Sequence, residues 1–375
     1  MTRQPSTALP PVLEAGGEWM EWTAPPPRSE VIAAGELLRT TISPEEVAAA
    51  AAAFNVAHTW REAHLLPLHS MRTSLQHHAR TADFSAIVAG RIKRLASIRK
   101  KLKRSRISLW DMQDIAGVRA ILPSLAKVDE VADRLRSDRS AHVFKRQDDH
   151  IAAPKPSGYR SLHLMMRYRG DERFHNRSIE VQIRTLRQHA WATAIEAVGL
   201  MRGEDLKAGR GHPHWLRLFH LMAGEFASVE GACPVPGIPD SHQERRIELV
   251  ELERELEAVK TLSAYSRAIT KLTSYLSLPG TRFVIQFDRV KQQVHIAPVR
   301  MIDDASGGLR QDERTGVESV VVEVEGAHAL AEAYPNYFVD VARFADQLQQ
   351  SLKGNPHSKS VRQMLADFRL RGGRH

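Results

Sequence analysis

Between residues 115 and 185 the spacing of apolar side chains switches repeatedly between two periods, and few folds accommodate that. Ile115-Ala116-Gly117-Val118-Arg119-Ala120-Ile121-Leu122 reads as a strand, 127–136 as a helix, and 160–168 and 178–185 as two further strands. In the last of these Ile179, Val181 and Ile183 alternate with Glu180, Gln182 and Arg184, so one face meets a core and the other carries polar groups. Helical spacing returns near Leu186. Ahead of the first strand, Ile87, Leu95, Ile98 and Leu102 suit an amphipathic helix over 83–106. The resulting αβαββα order predicts a compact α/β or α+β domain with a mostly one-sheet core.

The flanks differ in character. Residues 1–40 are rich in Pro, Ser, Thr and Gly, without sustained periodicity, and read as a flexible arm. Ser43-Pro44-Glu45-Glu46 is a helix start: an N-cap, a proline where no amide is needed and a glutamate that reaches back. A long helix through Trp60, Arg61 and His64 is expected to end at Pro67, with a second over 70–79. Residues 41–228 thus form one expected domain, 229–242 with its Pro and Gly a linker, and 243–375 a small C-terminal α+β module. That module is expected to hold a charged helix over 243–261, strands at 281–287, 293–299 and 317–324, and a helix from about residue 327.

Composition narrows the function classes. The chain has 375 residues, a single Cys and a formal net charge of +9. One thiol excludes an internal disulfide and a Cys-rich zinc site. No stretch is apolar enough for a membrane span and no secretory leader is visible, so a cytoplasmic location without a membrane partner is expected. The charge is concentrated: 91–119 holds ten basic and two acidic residues. That points to a polyanionic partner, whether nucleic acid, nucleotide or acidic membrane surface, and charge alone does not choose among them.

Four stretches carry residues fit for phosphate chemistry. On the expected helix, Lys93, Ser97, Lys101 and Arg104 fall on one stripe, suited to the oxygens of a triphosphate; alone, the run reads more simply as a solvated helix face. Asp114, at the entry of a strand that also carries Arg119, suits a Mg²⁺ ligand; alone, it reads more simply as a cap or salt-bridge partner. The loop Lys155-Pro156-Ser157-Gly158-Tyr159-Arg160-Ser161-Leu162-His163 either presents a tyrosine for stacking beside cations or packs it in a tight turn. Glu180 lies on the polar strand face, where a carboxylate can hold metal and accept a proton.

In order, these stretches resemble the RelA/SpoT synthetase family, the pyrophosphotransferases that make ppGpp and pppGpp, over about residues 85–200. The resemblance implies a RelA/SpoT nucleotidyltransferase-like fold and attack of a ribose 3′-hydroxyl on the β-phosphorus of ATP. It implies that Arg91 and Arg119 sandwich adenine, that Lys93, Ser97, Lys101 and Arg104 contact phosphates, and that Asp114 and Glu180 hold Mg²⁺. Glu180 would also take the proton, Tyr159 would stack on the acceptor base, and Lys155, His163, Gln182 and His189 would line the acceptor side. His189 stands where many small alarmone synthetases have asparagine, and no His-Asp motif of the family's hydrolase domain precedes Arg91.

The flanking Trp60-Arg61-Glu62-Ala63-His64 and His189-Ala190-Trp191-Ala192-Thr193-Ala194 look like the toxic members of the family, some of which modify the tRNA 3′ end. Ala333-Tyr334-Pro335-Asn336-Tyr337-Phe338 looks like the segment through which CapRel-type toxin–antitoxin fusions, used in antiphage defence, cover their own ATP site until a phage protein binds. Tyr334 and Tyr337 would then be autoinhibitory; from spacing alone they read as packing residues. The acceptor expected on this resemblance is the tRNA 3′ end, with GDP or GTP as the alternative.

Overall fold

The computed structural model describes residues 24–41, 43–93, 95–138, 142–274, 282–288, 293–299, 317–323 and 337–355. The chain divides into two compact units. One comprises Met1–Ala120, Asp129–Asp148 and His163–Ile183, the other Ile121–Val128, Asp149–Leu162 and Arg184–His375.

In the first unit a sheet is framed by helices. Strands β1 (Ile87–Ile92), β2 (Ala116–Leu122), β3 (His142–Asp149), β4 (Leu162–Tyr168) and β5 (Ser178–Thr185) lie in the order β1-β2-β5-β4-β3. The helices are α1 (Arg28–Arg39), α2 (Val47–Glu62), α3 (Leu65–Ala82) and α4 (Leu95–Arg104); α5 (Leu125–Ser137) follows β2. Helix α1 corrects the expectation of a flexible arm. Val31, Ala34 and Leu38 recur at helical spacing, and all are buried with Ala53, Ala57, Trp60, Ile98 and Leu102. Glu30 in its first turn and Arg39 in its last complement the helix dipole.

The helix expected over 83–106 is two elements. Residues 87–92 form β1, and only Leu95–Arg104 is helical. Pro67 does not end a helix either. It lies in the first turn of α3, where its missing amide costs nothing, and the break falls at Ala63 and His64. The capping glutamate behaves as expected, Glu46 accepting from the Ser43 amide at 2.9 Å.

The second unit is built on α6 (Leu186–Arg202), α7 (Pro213–Glu230), α8 (His242–Leu256), α9 (Ala258–Ser274) and α10 (Tyr337–Leu352). Trp191, Trp215, Phe219, Phe226, Tyr265 and Phe344 share its core. The single helix expected over 243–261 is broken at Glu257, whose φ of 45° no α-helix tolerates. Strands β6 (Arg282–Asp288), β7 (Gln293–Val299) and β8 (Val317–Glu323) pair antiparallel in the order β7-β6-β8, with Ile285 opposite Ile296 and Val320. The expected helix start near residue 327 lies outside the described residues. Among the described residues no helix is long and apolar enough to cross a membrane.

Candidate active site

Strand β1 delivers Lys93 to the mouth of β2. The Lys93 amide donates to the Ile115 carbonyl at 2.7 Å, and Arg61 Nε donates to the Lys93 carbonyl at 2.9 Å, so the backbone there is held from both sides. Arg61 was expected only as a helix residue; nothing in its spacing announces this tether. Lys93 Nζ meets Asp114 Oδ2 at 3.0 Å, and Lys101 Nζ from α4 meets Oδ1 at 2.8 Å. Burial alone would raise the Asp114 pKa; the two ammonium groups outweigh it and hold the carboxyl below its ordinary value. The four-residue helical stripe is corrected accordingly. Lys93 precedes the helix, and Ser97, Lys101 and Arg104 share α4, with Ser97 and Arg104 exposed. Arg91 and Arg119 occupy the neighbouring strands β1 and β2, both half-buried.

The alternation of β5 places Glu180 and Gln182 half-buried while Ile179, Val181 and Ile183 enter the core. His163 Nδ1, on the adjacent β4, lies 2.9 Å from Glu180 Oε1, and Gln182 Nε2 donates to Oε2 at 2.8 Å. Burial pushes the Glu180 pKa up, but His163, Gln182 and Lys93 together pull it down to about 2. Lys93 therefore acts electrostatically on both carboxylates. Two hard oxygen donors that stay ionised at neutral pH, beside lysines that attract phosphate, fit a Mg²⁺ ion completed by phosphate oxygens and water. Asp114 and Glu180 are the carboxylates that could hold such an ion; among the described residues no group of three or more His, Cys, Asp or Glu is placed to do so.

The remaining acceptor-side residues, Lys155, Tyr159 and His189, lie in the second unit; Lys155 is exposed, whereas Tyr159 and His189 are less open than expected. Tyr159 is buried against Trp191, with the Lys155 ammonium 5.3 Å and the Lys207 ammonium 5.4 Å from its ring centre. Gly158 explains the close packing. Its φ is 86°, and a Cβ there would meet Ala223 Cβ at 2.6 Å. The ring is a packed platform flanked by cations rather than an exposed one. His189, expected to face an acceptor, is buried with Nε2 2.8 Å from Asp340 Oδ2 on α10, and Asp340 also accepts from Arg343 at 3.1 Å. Asp340 had no signal in the sequence, being an ordinary acidic residue in an amphipathic stretch. Tyr334 and the Tyr337 side chain lie outside the described residues.

Two carboxylates held ionised thus stand among lysines and arginines beside one sheet. Residues 90–199, less than half of the chain, match the family model described as "Region found in RelA / SpoT proteins", and this segment is similar to that region. Among curated relatives, GTP pyrophosphokinase YjbM of Bacillus subtilis is 39% identical over 114 residues, covering 28% of this chain and 52% of that protein. GTP pyrophosphokinase YwaC of the same organism is 36% identical over 111 residues, with coverages of 28% and 52%. GTP pyrophosphokinase of Escherichia coli K12 is 29% identical over 157 residues, covering 38% of this chain and 19% of that protein. The chain thus spans about half the length of the two Bacillus relatives and about a fifth of the last. A crystal structure of small alarmone synthetase 1 from Bacillus subtilis bound to its product pppGpp aligns with a TM-score of 0.38 and 26% identity, covering 44% of this chain and 88% of that one.

Proposed function

We propose that this chain is a Mg²⁺-dependent ATP pyrophosphotransferase that makes (p)ppGpp from GDP or GTP. The observation that carries the reading is Glu180. Its carboxylate is held ionised and aimed by His163 and Gln182, and it feels the same Lys93 that pairs with Asp114. The names of the relatives, all GTP pyrophosphokinases, favour a guanine nucleotide over tRNA as acceptor.

In this reading the acceptor 3′-oxygen forms a bond to the β-phosphorus of ATP, the α–β bridging bond breaks, AMP leaves and the hydroxyl proton passes to Glu180. A carboxylate with so low a pKa is a weak base, so its main contribution is alignment, in keeping with phosphoryl-type chemistry carried by positioning and charge. Asp114 and Glu180 would hold Mg²⁺, which supplies neutralisation of the phosphate oxygens. Lys93, Ser97, Lys101 and Arg104 would contact the ATP phosphates and Arg91 and Arg119 its base. Lys155, Tyr159, His163, Gln182 and His189 would form the acceptor side, which for Tyr159 and His189 requires local opening.

A second reading, transfer to the tRNA 3′ end by a growth-arresting toxin in antiphage defence, is favoured by surplus cations. Lys100, Lys103 and Arg106 are exposed near the proposed phosphate site, and a tRNA end offers phosphates beyond the modified nucleotide. In it, residues 243–375 would serve as the regulatory module, with Tyr334 and Tyr337 released by a phage protein. Incubating the full chain with ATP labelled in its β- and γ-phosphates and GDP, GTP or bulk tRNA separates the readings. Label in the guanine nucleotide, lost about 10²–10⁴-fold in Glu180→Gln, is the expected result. Label in tRNA alone supports the second, and full activity in Glu180→Gln removes the site assignment.

A further inference from the structure

The first unit holds a cavity of about 320 Å³ that shares no lining residue with the Lys93, Asp114 and Glu180 cluster. One wall is a stacked pair of indoles, Trp60 and Trp110, 4.6 Å apart and inclined by 21°. The Arg177 guanidinium lies over both, 4.3 Å from the Trp60 ring centre and 5.1 Å from that of Trp110. Arg167 and Arg173 add two more guanidiniums to the lining, and Glu172 one carboxylate.

The position of Arg177 follows from backbone register. Tyr168 at the end of β4 donates its amide to the Arg177 carbonyl at 3.0 Å, and the Asn176 amide donates to the Tyr168 carbonyl at 2.9 Å. The turn between β4 and β5 therefore delivers this cation to the indoles whether or not an anion awaits it. Its neighbours are satisfied: Arg173 pairs with Asp171 at 2.7 Å, and Arg167 donates to the Asn176 carbonyl. Arg177 has no carboxylate partner among the described residues, and its buried Nε has no hydrogen-bond acceptor.

A guanidinium removed from water without a counter-ion is costly. Contact with indole faces returns part of that cost, about 0.5–2 kcal/mol. It leaves the buried Nε unsatisfied, and it does nothing about the like charge of Arg167. Burial first, and Arg167 second, lower the Arg177 pKa to about 10, so the group is under electrostatic stress while still charged at neutral pH. An anion with several acceptor oxygens in the cavity would relieve both effects, and the planar fork of arginine matches the oxygens of a phosphoryl group.

We propose that this cavity is a second anion site, in which Arg177 and Arg167 bind the phosphoryl group of a small ligand. The volume is at the lower end for small-molecule pockets and exceeds what a bare phosphate needs, so there is room for the remainder of a nucleoside monophosphate. The two sources of a phosphoryl group, the free ion and a nucleotide, are separable by experiment.

Tryptophan emission and calorimetry are followed while the full chain is titrated with inorganic phosphate and with GMP, in wild type, Arg177→Gln, Arg167→Gln and Lys101→Ala. The expected result is saturable binding in wild type that weakens at least tenfold in both arginine variants and persists in Lys101→Ala. Tighter binding of GMP assigns a nucleotide, and equal affinities assign the free ion. Where Arg177→Gln melts early, Arg167→Gln carries the same comparison. The proposal is overturned by no saturable change in wild type, by unaltered affinity in the arginine variants, or by equal loss in Lys101→Ala, which would place the ligand at Asp114. Tight binding of an RNA oligonucleotide that GMP does not displace overturns it as well.

Discussion

At the scale of single residues, the two halves of the site differ in how much of them could be read in advance. Glu180 and Gln182 were legible because strict alternation leaves one face polar, and His163 came with the resemblance. The burial of Tyr159 was one of two readings of its loop, and that of His189 was not legible, because they depend on Ala223 and Asp340, partners distant in sequence. The pKa of Glu180 makes its role measurable. Its folded value, about 2, lies below the ordinary 4.5, so it contributes stability that is fully present above pH 4.5 and is lost as pH falls toward 2. Denaturant midpoints across that window should fall more steeply in wild type than in Glu180→Gln. Parallel curves would show that the hydrogen bonds from His163 and Gln182 do not persist in solution.

At the scale of elements, α1 and β1 were the misreadings, and both have physical causes. Proline and glycine around α1 masked a short apolar stripe whose stability comes from packing rather than propensity. Gly35 is where that packing is tightest, since a Cβ would come within 2.7 Å of Leu109 Cβ. Gly35→Ala should cost about 1–3 kcal/mol in chemical unfolding despite the better helix propensity of alanine; a gain in stability would mean α1 is not docked. Residues 87–92 were read as helix because the apolar spacing of the following α4 runs back through them, and six residues are too few to show their own period. Within Leu95–Arg104 the buried side is Ile98 and Leu102 and the basic residues lie off it, as an amphipathic run requires, although Lys93 falls outside the helix.

Strand β3 escaped notice because its polar residues hide the alternation, yet it begins with a buried histidine. His142 packs edge-on to Tyr168, 5.8 Å between ring centres, and burial lowers its pKa to about 4, with Asp138 opposing weakly. A value below 6.5 means stability present above pH 6.5 and lost as pH falls toward 4. Replacing it in His142→Phe should flatten the stability profile over that interval by up to about 3 kcal/mol. An unchanged slope would place the imidazole in water.

At the scale of the whole molecule, the net charge of +9 is concentrated in 91–119, which holds ten basic and two acidic residues, rather than spread along the chain. The same scale reveals a connection that no stretch of sequence contains. Helix α10, more than a hundred residues beyond α6, inserts Val341, Phe344 and Leu348 into the core that α6 and α7 share, and Asp340 bridges His189 and Arg343. Because Asp340 and Arg343 are both nearly inaccessible, the bridge contributes in proportion to its completeness. Asp340→Ala would take one carboxylate from both Arg343 and His189 in a buried setting, a loss of up to about 3–5 kcal/mol. Double replacement, Asp340→Leu with Arg343→Met, removes the charges together and should recover most of that loss, since a buried ion pair gains little over apolar packing of similar volume. Amide exchange reads the difference at the right place: α10 should exchange faster in Asp340→Ala and return toward wild-type protection in the double variant. Wild-type protection in Asp340→Ala would show that the apolar contacts hold α10 against α6 unaided.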